Sequence, residues 1–526
     1  MNFNDILKRI NSTINNSTVV TPEVPAEEKT FNYEDETAYV MTPELELYTA
    51  TVTTLLENNF YERGGKRAER IAQLVEEVSP EFVAKLAVYA RTKMNLRSVP
   101  LLLLVELARV HNGDDLVSRA VDKTILRADE IMQLLACYQW RNLYNAHGAK
   151  KLARLSNQLR IGLQRAFNRF DEYQFAKYNR NSLEVKLRDA LFLTHPKAKD
   201  AAQQEIFDRI VSDTLAVPYT WETKLSEIGQ REYANDAARN EAFAAAWEQL
   251  IDDGVLGYMA LLRNLRNILN ANISGSRLST VCNRLSNAAE VARSRQLPLR
   301  FLAAYRELSN NISTNAAAIR RALEDAVMLS LTNINGFDSD DSILVACDVS
   351  GSMYSGLSTN SSIMLYDVGL LLGMLLKSRY NNVTTGIFGT DWEVVDLPSS
   401  NILASTDKLR QMEGRVGYAT NGYKVLDWLW AERKYVDKVM IFTDCQLWDS
   451  SYSGDATLRK SWYRYKAMNP NARLYLFDLA GYGNSPIASC DKDVYTIGGW
   501  SENIFNIIAK LEMGKSALDE VMQIDL

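Results

Sequence analysis

The spacing of apolar residues changes character once along the chain, near Ile343, and that change fixes most of what the chain can become. From about Pro43 to Asn333 apolar residues recur at helical intervals. In the stretch from Arg67 to Val78, Ile71, Leu74, Val75 and Val78 fall at i, i+3, i+4 and i+7, one stripe along an amphipathic helix. Ser79-Pro80 then opens another, with Phe82, Leu86 and Tyr89 on one side. The same pattern predicts helices over 99–110, 114–124, 128–137, 148–169, 183–193, 199–212, 236–251, 256–271, 276–293, 298–308 and 314–332. Helices of this length joined by short links point to stacked helical hairpins, an α-solenoid, with no fixed sequence repeat. Past Ile343 short apolar runs appear instead: 343–349, 383–389, 393–397, 438–444, 473–480 and 494–499. Helical stretches at 362–378, 421–433, 456–468 and 502–511 alternate with them. Such alternation predicts a mainly parallel sheet covered on both faces, an α/β doubly wound domain.

These readings divide the chain into 1–43, 44–335 and 340–526. The first segment mixes Asn, Ser, Thr, Pro and Glu without period and is expected to be a flexible or peripheral arm. A length of 526 residues suits two to four domains, and 47% apolar with 24% charged residues excludes a disordered or collagenous chain. The apolar runs at Val99 to Leu104 and Leu370 to Leu376 fall well short of the ~20 residues that span a bilayer. The first residues carry no apolar block with a small-residue cleavage site, so the expected compartment is the cytoplasm. Five cysteines without a CxxC pair and three histidines without i, i+4 spacing argue against a disulfide framework or a zinc site.

Charge is unevenly distributed. Residues 141–200 hold 13 Lys and Arg against 5 Asp and Glu, whereas the segments before residue 47 and after residue 335 are acidic. A localised basic excess is the footprint expected of a polyanion binder, and a merely solvated helical surface is the alternative. Within it, Lys177, Arg180, Lys186 and Arg188 lie close to Phe175, Tyr178 and His195, so phosphate-pairing cations alternate with rings able to stack on unpaired bases. Upstream, Arg154, Arg160, Arg165 and Arg169 recur at roughly helical spacing along what reads as one long helix. Phe167, Phe170 and Phe175 read as core, and a helix-capping role competes with RNA contact for His195.

In a doubly wound sheet, ligands bind beyond the carboxyl ends of the strands. Asp348, Ser350 and Ser352 stand there as DVSGS after the 343–349 strand, Asp444 ends the 438–444 strand, and Thr420 lies in GYATNG before a helix. Carboxylates and hydroxyls form a hard, oxygen-only and incomplete shell suited to Mg²⁺ or Mn²⁺, with one position open to an anionic ligand. The pattern resembles the von Willebrand factor A fold and its metal-ion-dependent adhesion site. That resemblance implies ligation by Asp348, Ser350 and Ser352, directly or through water, completed by Thr420 and Asp444. No nucleophile or general base with an orienting partner accompanies these residues, so the chain does not read as an enzyme.

The segments 155–180, 185–197, 258–269 (YMALLRNLRNIL) and 297–307 (LPLRFLAAYRE) resemble the TROVE module of the Ro (SS-A) ribonucleoproteins and their bacterial counterparts, which carry a C-terminal von Willebrand A domain in the same order. The resemblance implies a ring of HEAT-like helical repeats closed by the A domain, acting as a monomer. It further implies binding of a small noncoding Y-like RNA on the basic outer surface and of single-stranded 3′ ends of misfolded RNA in the hole. The function it suggests is RNA quality control or decay, with an exoribonuclease as a candidate partner. Lys177, Arg180 and His195 match positions the family uses for Y RNA, with Lys186 and Arg188 beside them and Arg160 and Arg165 on the preceding helix. Arg263 and Arg266 are candidates for the inner wall. The competing reading is a metal-dependent protein-interaction adaptor working through the A domain.

Overall fold

The computed structural model describes residues 29–526 except 55–61, 146–153, 180–182, 331–339, 358–360, 451–456, 489–490, 501–506, 509 and 512–515. Arg180, Cys490 and most of the expected 502–511 helix therefore lie outside the described residues.

The helical expectation holds from Pro43 to Ser330, with two differences of detail. The expected 256–271 and 276–293 helices are each broken in two, as Tyr258–Arg263 with Leu265–Asn270 and Gly275–Leu285 with Ala288–Ser294. The breaks fall at Asn264 and at Ser286-Asn287, side chains that compete for backbone hydrogen bonds: Asn264 donates to the Ala260 carbonyl, and Asn287 accepts from the Glu290 N–H as a new N-cap. Helices at Pro43–Val52, Glu172–Tyr178 and Trp221–Gly229 were not individually expected. Glu172–Tyr178 is held by an Asp171–Gln174 capping box, which a seven-residue element needs because its own turn bonds are few.

Nine strands, β1 (Lys29–Phe31), β2 (Thr37–Val40), β3 (Ile343–Asp348), β4 (Val383–Phe388), β5 (Trp392–Val394), β6 (Lys438–Thr443), β7 (Arg473–Asp478), β8 (Asn484–Ser485) and β9 (Val494–Gly498), form two sheets among the described residues. The larger has the order β5-β4-β3-β6-β7-β9, with only β5 antiparallel. The chain moves outward from β3 to β4 and then returns to the other side of β3 as β6. This reversal puts the topological switch point between the carboxyl ends of β3 and β6. Helix Leu365–Arg379 is apolar around its whole circumference, and Leu365 to Leu376 are all buried, the pattern of a helix enclosed on every side. It approaches the sheet closely enough that a Cβ on Gly369 would stand 2.9 Å from Phe442 Cβ, and one on Gly373 would stand 3.0 Å from Val345 Cγ1.

Residues 29–40, inside the stretch expected to be an arm, form a hairpin that pairs with β8 of the α/β unit. The expectation of a flexible arm therefore does not extend to them. Strands of three and four residues with mixed polarity carry no periodicity to read, and the partner strand lies more than 400 residues away.

The helical array meets the α/β unit at both of its ends. At the first, Arg67 Nη2 donates to the Ala480 carbonyl at 2.7 Å and Arg70 Nη2 to the Gly481 carbonyl at 2.6 Å, while Glu62 is ion-paired with both guanidinium groups. At the second, Arg306 holds Asp367 and Asp407, and Glu324 accepts the Leu403 and Ala404 N–H groups at the start of helix Ile402–Gln411. An array anchored at both ends on one unit is a closed ring. Among the described residues no helix is long and apolar enough to cross a membrane.

Candidate functional site

The strand-end residues converge as the sequence suggests. Asp348, Ser350, Ser352, Thr420 and Asp444 are all buried. Asp348 Oδ1 accepts the Ser350 N–H at 2.9 Å and its Oδ2 accepts the Thr443 hydroxyl at 2.7 Å. Asp444 Oδ1 accepts the Gln446 N–H at 3.0 Å and its side chain bonds that of Ser352, whereas Asp444 Oδ2 has no partner among the described residues. Thr420 donates to the Gln446 carbonyl at 3.0 Å. Burial pushes the Asp348 carboxyl up to about 6 against the hydrogen bonds from Ser350 and Thr443. Asp444 rises to about 7 through burial first and the neighbouring Asp348 charge second. Two carboxylates out of water, one oxygen unpartnered, with hydroxyls beside them, are a donor set that fits a hard divalent cation. Thr443 was not foreseen; its signal was the Thr-Asp pair that ends the 438–444 strand.

The basic segment is spread over three short helices, Asn157–Phe167, Glu172–Tyr178 and Leu187–Thr194, and the turns that join them. Helix Asn157–Phe167 is shorter than the long helix expected, whose first residues lie outside the described ones. Arg154 precedes it and Arg169 follows it. Arg169 donates to the Asp122 and Ile125 carbonyls, so it serves the packing of helices and not an open face. Arg165 is exposed, and Arg160 is half-buried with Nη2 bonded to Asn157 at 2.6 Å.

Helix Leu187–Thr194 begins after exposed Lys186 and ends at His195, which takes the left-handed conformation at φ 50° and donates its N–H to the Leu191 carbonyl. His195 thus caps the helix with its backbone, as the capping reading expects, and its side chain is exposed. Gln164 donates to the Thr194 and His195 carbonyls, and Asn168 bridges to Lys197 and Lys199. These bonds bring Arg165, His195, Lys197 and Lys199 onto continuous ground.

Arg188 lies over the Phe192 ring at 5.6 Å, and Lys177 over Tyr173 at 5.8 Å and Tyr178 at 5.9 Å. Phe167, Phe170 and Phe175 are core, as expected. The exposed rings are Tyr173 and Phe192, each at 46% exposure, and sequence reasoning missed both. Phe192 stands four residues after Arg188, a spacing that stacks the two on one helical face.

A cavity of about 1190 Å³ opens among helices from both halves of the array and the loop around Ile363. Arg97, Arg263, Arg266, Arg300 and Trp140 are among its lining residues, so both inner-wall candidates face the same cavity. Arg266 pairs with Glu307, and Arg97 with Asp129. Burial and then the Arg263 charge hold Arg300 below the usual guanidinium range, and neither arginine has an ion-pair partner among the described residues.

Residues 47–242 and 215–335 match the model of the TROVE domain, and residues 342–512 match that of the Ro60 vWA domain. The chain belongs to the TROVE family. Its arrangement of a TROVE module followed by a Ro60-type A domain is that expected from the sequence. The chain is 27% identical to telomerase protein component 1 of Rattus norvegicus over 309 residues, 44% of this chain and 11% of that protein. It is also 27% identical to the Mus musculus protein over 313 residues, 45% of this chain and 11% of that one. The chain thus spans about a tenth of the length of these curated relatives. Among solved structures, the Deinococcus radiodurans Ro (RSR) protein superposes with a TM-score of 0.59 at 17% identity, covering 90% of this chain and all of that one, a likeness of fold.

Proposed function

We propose that this TROVE protein is an RNA-binding ribonucleoprotein scaffold. It holds a small, structured, Y-like RNA on the face carrying Arg165, Lys177, Lys186, Arg188 and His195, and accepts single-stranded RNA ends in the cavity lined by Arg263 and Arg300. The observation that carries the reading is the pairing of cations with exposed rings, exposed Arg188 over Phe192 and half-buried Lys177 over Tyr173. Cations alone would serve any polyanion, whereas exposed rings add stacking on unpaired bases, worth about 1–3 kcal/mol each. Arg180, within the same segment, belongs to this proposal by sequence alone. Holding RNA tails would let the protein present them for quality control or decay, with an exoribonuclease as partner, in the cytoplasm, without chemistry of its own.

The Asp348, Ser350, Ser352, Thr420 and Asp444 set would hold Mg²⁺, whose charge would bind an incoming carboxylate. The unpartnered Asp444 Oδ2 supports this second reading, in which the A domain is a metal-dependent adaptor port. Ultraviolet cross-linking of protein purified with its native RNA tests the main reading. Cross-linked peptides from 154–199 are the expected result, and cross-links confined to the α/β unit reject it.

A further inference from the structure

Gln446 occupies an unusual place among the strand-end residues. Its main chain faces two of the expected metal ligands, donating from N–H to Asp444 Oδ1 and accepting the Thr420 hydroxyl at its carbonyl, both at 3.0 Å. Its side chain is fully buried and reaches both ways, with Nε2 donating to the Asp444 carbonyl at 3.3 Å as well as toward the hairpin. Gln446 Oε1 accepts the Tyr33 N–H at 2.9 Å, and its Nε2 donates to Asn484 Oδ1 at 3.0 Å. Tyr33 is at the tip of the β1–β2 hairpin, and Asn484 is the β8 residue that pairs with Val40 of the same hairpin. One residue further on, the Leu447 carbonyl accepts from Asn32 Nδ2 at 2.8 Å. Asn32 is itself locked, since its Oδ1 accepts the N–H groups of Glu34 and Glu36 and builds the hairpin turn. Arg459 donates to the Tyr39 hydroxyl, and the Tyr33 and Tyr482 rings meet edge to face, so the hairpin is fastened along its length.

We propose that this hairpin is a strap that sets how tightly the strand-end site holds a divalent cation, with Gln446 as the positioning residue between them. The inference rests on the metal reading given above. A cation must draw Asp444 and Thr420 into one geometry, and both are bonded to the Gln446 main chain. Whatever fixes Gln446 therefore fixes two ligands in advance, and a pre-organised site binds more tightly than one that must be ordered on binding. Linkage makes the effect mutual: if the docked hairpin favours the cation, the cation favours the docked hairpin by the same factor, typically ~5–150-fold.

The test uses the full chain, with Mn²⁺ and Mg²⁺ as probes. Asn32→Asp keeps the oxygen that builds the turn and replaces the donor to Leu447 with a second acceptor; Gln446→Met keeps the main chain and removes the side-chain bridge. Asn32→Asp is the more selective of the two variants, because it leaves the bond from Gln446 Nε2 to the Asp444 carbonyl in place. Calorimetric titration should give binding to the unaltered protein that weakens at least about fivefold in each variant. Hydrogen exchange over residues 29–40 of the unaltered protein should slow by a similar factor when Mn²⁺ is added, a readout that stands even where a variant fails to fold. Unchanged affinity in folded variants together with metal-independent exchange in the hairpin would overturn the strap. Absence of binding to the unaltered protein would instead remove the metal reading itself, and the strap with it.

Discussion

Replacing Arg306 by Met probes the seam that closes the ring. The Arg306 side chain is 8% exposed and makes two bonds of 2.6 Å to Asp367, which is wholly buried, and one of 2.7 Å to Asp407. Removing one partner of a buried pair costs about 3–5 kcal/mol, because the charge left behind loses its compensation without regaining water. Two features place this case at the lower end. Asp367 keeps one hydrogen bond, from the Met364 N–H at 2.8 Å, and Asp407 is partly open to solvent. A loss of about 3 kcal/mol corresponds to roughly a 100-fold rise in local opening, since each 1.4 kcal/mol is a factor of ten.

Hydrogen exchange resolves that change over helices Pro298–Glu307 and Leu365–Arg379, whereas a single unfolding midpoint for several coupled units would blur it. Arg306→Met should speed exchange in both helices by about that factor. Adding Asp367→Asn should restore a large part of the loss, because the stranded charge is then gone. Exchange within about threefold of the unaltered protein, or a double variant that loses the full sum of the two single effects, would refute the reasoning.

A Cβ on Gly162 would meet Val121 Cβ at 2.5 Å and the Ser118 carbonyl at 3.0 Å, so Gly162→Ala should push helices Asn157–Phe167 and Leu116–Thr124 apart at a cost of about 1–3 kcal/mol, read as a lower melting temperature; an unchanged melt contradicts this packing. Asp348 and Asp444 are acids whose folded values, about 6 and about 7, lie above their unfolded ones, so the stability they contribute is full below about pH 4 and is lost as pH rises through 6 to 7. Metal-free protein should accordingly be more stable at pH 5 than at pH 7.5, by an amount on the order of a few kcal/mol, while Mg²⁺ should stabilise more at pH 7.5, where both carboxylates are free to bind it. Equal Mg²⁺ stabilisation at the two values would count against the site.

The features legible in the sequence are those with a local cause. Strand ends carrying Asp348 and Asp444 were legible because near-continuous apolar runs end abruptly in polar residues. The ring's helices were legible because stripes such as Ile71, Leu74, Val75 and Val78 repeat within one helix. Features decided by distant partners were not. Residues 29–40 form strands because β8 and the Gln446–Leu447 loop receive them, and nothing near them announces it. Arg169 looked equivalent to Arg165 by spacing, but the chain leaves the helix after Phe167 and turns Arg169 toward carbonyls of the neighbouring helix. Phe175 was legible as core, as its burial shows, whereas Phe192 was missed because an exposed ring on a helix of eight residues carries no periodic signal that separates it from the packed ones. Helix Ile402–Gln411 escaped notice because its apolar residues are few and its start is held from the helical array by Glu324.

The claim on which the functional account turns is that exposed cations of 154–199 pair with RNA phosphates. Titrating a structured RNA against the protein over a range of salt concentrations measures this directly. The slope of log affinity against log salt should become shallower by about 0.7–0.9 for each phosphate contact removed. The double variant Lys186→Ala, Arg188→Ala should therefore flatten the slope by about 1.4 to 1.8 while leaving the protein folded. Binding that is strong but carries the same slope in the double variant would contradict the account.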